Sequence, residues 1–192
     1  MINILRSITL TLIGLASMAW LSIYLIADMY GLIMDGPSPD GTLTDFFSEN
    51  IIMTTQVSEL GYEFADVAQD LFLFTANMHV TLLVITAAMA ISWSVASHYL
   101  NIDSPGKAKI YFIHWIVFSS ILEVILLGVI LYCLTATTNW NSIAEFIGDE
   151  GTFWFCLSSL YYFLMYFVAV LLGTARFARS SVLLANKLPG GF

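Results

Sequence analysis

The sequence predicts an all-α, polytopic membrane protein with four transmembrane helices, both ends on one side, and an amphipathic helical extension of the second helix on the other. Three observations lead there. Of 192 residues, 59% are hydrophobic and only 10% charged, far from the roughly 25% charged of a soluble domain. Apolar runs long enough to cross a hydrocarbon layer of about 30 Å as helix lie near 7–30, 71–99, 109–136 and 152–175. Membrane β-strands would be shorter and would alternate apolar with polar, which these runs do not. Finally, the basic residues are partitioned. Arg6, Lys107, Lys109, Arg176, Arg179 and Lys187 fall at the N-terminus, between spans two and three, and after span four. The positive-inside rule then puts both termini and the loop at 100–108 in the cytoplasm.

The first span has the charged start and small residues (Ser17 to Ala19) of a signal peptide, but its apolar run continues to Ala27. That is too long for a typical signal core, so an uncleaved anchor is expected. The span ends at "GPSPDGT", a turn-rich break. The outer loop, 31–70, then changes character. Met53, Val57, Leu60, Phe64 and Val67 recur at helical spacing, with Glu59, Glu63, Asp66 and Asp70 beside them. One apolar and one acidic stripe make an amphipathic helix that leads into span two. Gly61 within it should cost about 1 kcal/mol relative to alanine. The acidic stripe reads either as a solvated face or as an attraction for cations or a basic partner. The apolar stripe needs a cover, from the chain itself or another subunit.

Spans two and three form a hairpin through "NIDSPGKAK", with Pro105 and Gly106 as breakers. The tail after span four is short and basic enough to sit near an anionic inner surface. Residues 1–192 read as a single four-helix transmembrane domain. The acids from Asp28 to Asp70, with Glu145, Asp149 and Glu150, make the net charge of −8 an outward-facing surface. No basic patch exists to neutralise phosphates, which excludes nucleic-acid binding.

Glu123, in "FSSILEVILLGVI", is the residue that most needs explaining. It lies about 14 residues into span three, near the bilayer midplane, where an ionised acid costs roughly 2.5 to 3.5 kcal/mol. Such a residue faces other helices and is paired or protonated. Ser119 and Ser120 precede it by about one turn. Reflection through the loops brings Thr86, Tyr161 and Tyr162 to its depth. A glutamate bonded across helices would fix their register; the alternative is an ion or proton site, to which His79, about 9 Å away along the axis, could be linked through water. Toward the cytoplasm the next titratable group is His114, over two turns away, and serine hydroxyls would have to bridge.

His98 and His114 face one another across the inner hairpin closely enough to raise bis-histidine haem as a redox alternative; imidazoles at an interface equally reach water, and no cofactor or metal is expected. Cys133 and Cys156 fall about 3 Å apart in depth, which allows a disulfide or two small buried hydrophobes. No CxxC, phosphate loop, zinc spacing or nucleophile with a base is present, so no enzyme is expected. Aromatic "FWF" at 153–155 suits a membrane interface, and Tyr161, Tyr162 and Tyr166 lie deeper, where hydroxyls need partners. The reading is a non-catalytic membrane subunit of a transport- or secretion-type complex, surrounded by lipid and by other subunits or copies of itself. The alternatives are a small homo-oligomeric channel or proton-coupled carrier using Glu123, and a b-type haem subunit.

Overall fold

The computed structural model describes residues 2–34, 64–99, 105–135, 147 and 149–175, with side-chain surroundings for 3–21, 74–75, 77–99, 110–135, 147 and 151–175. Among the described residues the elements are four helices: α1 (Ile2–Met34), α2 (Phe64–Ala96), α3 (Pro105–Thr135) and α4 (Asp149–Gly173). Each contains a stretch long and apolar enough to cross a membrane: Asn3–Leu21, Asn77–Ala96, Ile110–Thr135 and Gly151–Gly173.

The helices outrun the apolar windows because helical backbone continues wherever no residue forbids it. α2 starts at Phe64, so the segment bearing Phe64, Asp66, Val67 and Asp70 is helical and continuous with the apolar span. Its 33 residues amount to about 50 Å of helix. Pro105 and Gly106 begin α3 instead of interrupting the chain before it, since proline at the first helical position lacks only an N–H that would have no partner there. α2 closes by tightening. Ser97 N donates to Trp93 O at 2.9 Å, His98 N to Val95 O at 3.1 Å and Tyr99 N to Ala96 O at 2.9 Å, so the last carbonyls find donors in a short turn.

The Cα framework divides into two compact units, Met1–Ala19 with Leu83–Leu126 and Leu160–Phe192, and Trp20–Leu82 with Leu127–Ser159. In the first, segments of all four helices pack together. α1 and α4 run antiparallel: Ser7 donates to the Gly173 carbonyl, and Tyr161 donates to Met18 O at 2.6 Å. Trp93 on α2 meets Phe118 on α3 at 5.6 Å, and Trp115 on α3 meets Phe167 on α4 at 5.9 Å between ring centroids. In the second unit Phe74 and Phe155 pack edge to face at 5.8 Å and 89°, the geometry aromatic quadrupoles favour.

Hydroxyls join α1, α2 and α4 of the first unit in an unbroken run. Ala175 N donates to Ser97 Oγ at 3.1 Å, and Ser97 Oγ donates to Ser94 O at 2.7 Å. Ser94 Oγ and Thr11 Oγ1 are 2.6 Å apart, and Thr11 Oγ1 reaches Ser7 O at 3.0 Å. With one proton per hydroxyl, Thr11 donates to Ser7 O and accepts from Ser94. Ser7 then closes on Gly173. Glycine is required there: a Cβ on Gly173 would collide with Thr11 Oγ1 and stand 2.8 Å from Ser7 O and 2.9 Å from Ser94 Oγ.

The buried positions include Ser7, Thr11, Thr86, Ser94, Ser97, Ser119 and Ser159, whereas Ile113, Val117, Ile121 and Val124 on α3 are exposed. That is the distribution of a helix bundle whose solvent is hydrocarbon: small and hydroxyl residues bring helices together, and branched aliphatic ones meet the outside. Exposed hydroxyls fold back onto their own helices. Thr9 bonds Leu5 O, Ser17 bonds Ile13 O and Thr81 bonds Asn77 O, at 3.0, 2.9 and 3.1 Å. Such self-satisfaction lets a polar side chain face lipid.

Candidate functional site

The interior face of α3 carries Trp115, Ser119, Leu122, Leu126 and Ile130, all buried, at the 4, 3, 4, 4 spacing of one helix face. Glu123 lies one turn beyond Ser119 and beside Leu122, half-buried, with its Oε2 atom buried. Ser119 is 4% exposed and faces the same interior, whereas Ser120 is turned to the outer surface. The two serines that precede the glutamate are thus separated by the helix.

The ring pairs of the first unit set the depth of its neighbours. Along α2, Trp93 stands opposite Phe118, so Glu123 is level with residue 88, within a turn of Thr86. Along α4, Trp115 opposite Phe167 puts Glu123 within a turn of Tyr162. Thr86 is fully buried and its Oγ1 has no hydrogen-bond partner. Tyr162 is buried. Tyr161 is committed elsewhere, through its hydroxyl on Met18 O. Glu123 is therefore a carboxylate close in depth to the hydroxyls of Thr86 and Tyr162. Between Leu83 and Ser97 of α2, and between Ser7 and Ala19 of α1, the sequence holds no titratable side chain.

Trp115 is the site residue that span and spacing arguments did not single out; Tyr166 was expected only as a deep tyrosine in need of a partner. Tyr166 is fully buried. Ser119 and Trp115 lie close enough to act on its hydroxyl, yet neither meets hydrogen-bond geometry with it, and Tyr166 Oη, Ser119 Oγ and Trp115 Nε1 are all buried without partners. A signal existed in the spacing: Trp115, Ser119 and Glu123 stand at successive steps of four, one face of a helix.

The remaining candidates are dispersed. His79 is buried in the second unit. His98 is half-buried with a buried, unpartnered Nε2. His114 is exposed on α3, its ring 6.3 Å from that of Tyr111. Cys133 and Cys156 are both half-buried free thiols. No group of three or more His, Cys, Asp or Glu able to hold a metal ion occurs among the described residues. Of the predicted outer contact face, Phe64, Asp66, Val67 and Asp70 lie on the helical backbone of α2, while Met53, Val57, Glu59, Leu60 and Glu63 lie outside the described residues.

No protein-family model matches the chain, and no curated protein or solved structure is significantly similar to it.

Proposed function

We propose that the chain is a non-catalytic, multi-pass subunit of a larger plasma-membrane complex of transport or secretion type, in a bacterial inner membrane with both termini cytoplasmic. One observation carries the reading: the apolar windows of α1 and α3 are only 22% buried within the chain, against 39% for α2 and α4. α1 and α3 therefore offer most of their surface to lipid and to neighbouring helices. The basic residues at the termini and between α2 and α3 support the orientation. With that orientation the start of α2 projects on the outer side, where its acidic and apolar stripes supply contacts beyond the bilayer. Purification in mild detergent after chemical cross-linking tests the reading. A discrete assembly with other membrane proteins is expected, and a monodisperse monomer without partners overturns it.

A second reading is a homo-oligomeric channel or proton-coupled carrier that uses Glu123. It is favoured by the buried carboxylate oxygen at the depth of Thr86 and Tyr162, because an intramembrane acid set among hydroxyls is suited to binding a proton or cation. Glu123→Gln in reconstituted vesicles separates the two. Loss of flux with assembly intact supports the carrier; full flux in the variant excludes it.

A further inference from the structure

Thr86 Oγ1, Trp93 Nε1, His98 Nε2, Trp115 Nε1, Ser119 Oγ and Tyr166 Oη are buried polar atoms without hydrogen-bond partners. All belong to the first unit, on or just beyond α2, α3 and α4. They are also ordered along its axis. Using Trp93 opposite Phe118 as the register, Thr86 falls level with residue 125, within a turn of Glu123, Trp93 lies about two turns further toward the end of α2, and His98 falls level with residue 113. Ser119 with Tyr166, and then Trp115, fill the intervening levels. The series runs from the level of residue 113 to that of residue 125 on α3, about 18 Å.

Orphaned polar groups in a bundle surrounded by hydrocarbon forfeit their hydration and gain nothing in return. One such atom is a local imperfection; six of them gathered along one stretch of the bundle need a common occupant. The donor inventory says which. The indole nitrogens of Trp93 and Trp115 can only donate, while the hydroxyls of Thr86, Ser119 and Tyr166 donate and accept. An occupant must therefore accept and donate in turn. Water does both and bridges groups that stand close without bonding directly.

We propose that these groups line a hydrated path, open at the end of the bundle where α2 gives way to α3, that brings water and protons to the Glu123 carboxylate. Each water, and the Ser119 and Tyr166 hydroxyls, takes up one proton and releases another. One proton entering at the His98 end therefore leaves one on Glu123, converting carboxylate to carboxylic acid. The indoles hold water in place and pass no proton. Other titratable groups of this unit near the glutamate are Tyr161, Tyr162 and Tyr166 on α4; α1 and α2 contribute none at this depth. The path deepens the carrier reading, but its hydration is measured independently of flux.

The adjacent serines supply the test. In full-length protein with Cys133→Ala and Cys156→Ala, reconstituted in sealed vesicles, Ser119→Cys and Ser120→Cys are each exposed to a membrane-impermeant methanethiosulfonate. Their depths differ by one residue, but Ser119 faces the interior and Ser120 the outer surface. Reaction requires thiolate, hence water, so Ser119→Cys is expected to label about tenfold faster or more, and from one side only. Equal rates, no labelling at either position, or faster labelling at Ser120→Cys overturns the path. If Ser119→Cys does not fold, Tyr166→Phe decides. A hydrated hydroxyl makes the Tm fall on its removal, whereas a dry, orphaned one makes it rise, which overturns the proposal. Labelling at Ser119→Cys without proton uptake by the vesicles supports the path and removes the carrier reading.

Discussion

Gly173→Ala tests the packing of α1, α2 and α4 with a single methyl group. The added Cβ would collide with Thr11 Oγ1 and lie 2.8 Å from Ser7 O and 2.9 Å from Ser94 Oγ. None of these atoms ends a long flexible side chain, so relief requires the helices to part. Overpacking of this kind costs about 1 to 3 kcal/mol. Separation also weakens the Ser7 to Gly173 and Thr11 to Ser94 bonds, each worth about 0.6 kcal/mol between membrane helices. Alanine returns up to about 1 kcal/mol of helix propensity, less at Gly173 because it is the final residue of α4. The net expectation is a loss of about 2 kcal/mol. Gly128→Ala is the matched control, since a Cβ there meets nothing within 4 Å; propensity alone acts, and stability should rise by as much as about 1 kcal/mol. Reversible unfolding of both variants in mixed detergent micelles, followed by circular dichroism, measures the difference. A Gly173→Ala variant within about 0.5 kcal/mol of the parent, or a shift of both variants in the same direction, would refute tight packing of the three helices at Gly173.

Thr11→Val removes the hydroxyl between Ser94 and Ser7 and leaves a fully buried Ser94 Oγ to find another acceptor; a loss of about 1 kcal/mol is expected, and adding Ser94→Ala should cost less than the two single changes summed. Tyr161→Phe removes the 2.6 Å bond to Met18 O. The cost should stay near 0.6 kcal/mol in the same unfolding measurement, because that carbonyl lies within continuous α1 helix and keeps its backbone donor. In the second unit, Phe155→Leu breaks the edge-to-face pair with Phe74 and should lower stability by about 1 kcal/mol.

Spans and helix type were legible because composition and length suffice for them: an apolar run of twenty or more residues has few alternatives in a bilayer. The ends were less so. Pro105 looked like a loop residue and instead begins α3, since a breaker in mid-helix is a good first residue. Which face of each helix turns inward was harder still. Nearly every position in α3 is apolar, so hydrophobic periodicity carries little information; the distinction lies in small and hydroxyl side chains such as Ser7, Thr11, Ser94 and Ser97, a signal that depends on the partner helix as much as on the residue. Glu123 was conspicuous as the one acid within span three. Tyr166 stood out only as one of three deep tyrosines, and Trp115 not at all, because a buried indole ordinarily needs no explanation until its nitrogen is found without a partner.

The bond between Ser7 and Gly173 joins residues 166 apart in the chain. In a chain that inserts into a membrane as it is made, α1 would arrive long before α4 exists and would have to wait there. It can do so because Thr11 is already held by the Ser7 carbonyl on the same helix, and Thr9 and Ser17 are likewise occupied. Closure of this ring is therefore a late event of biogenesis, governed by the arrival of the fourth helix. A lesion in α4 would be felt first as prolonged residence of an open intermediate with the insertion machinery, and only afterwards as a less stable product.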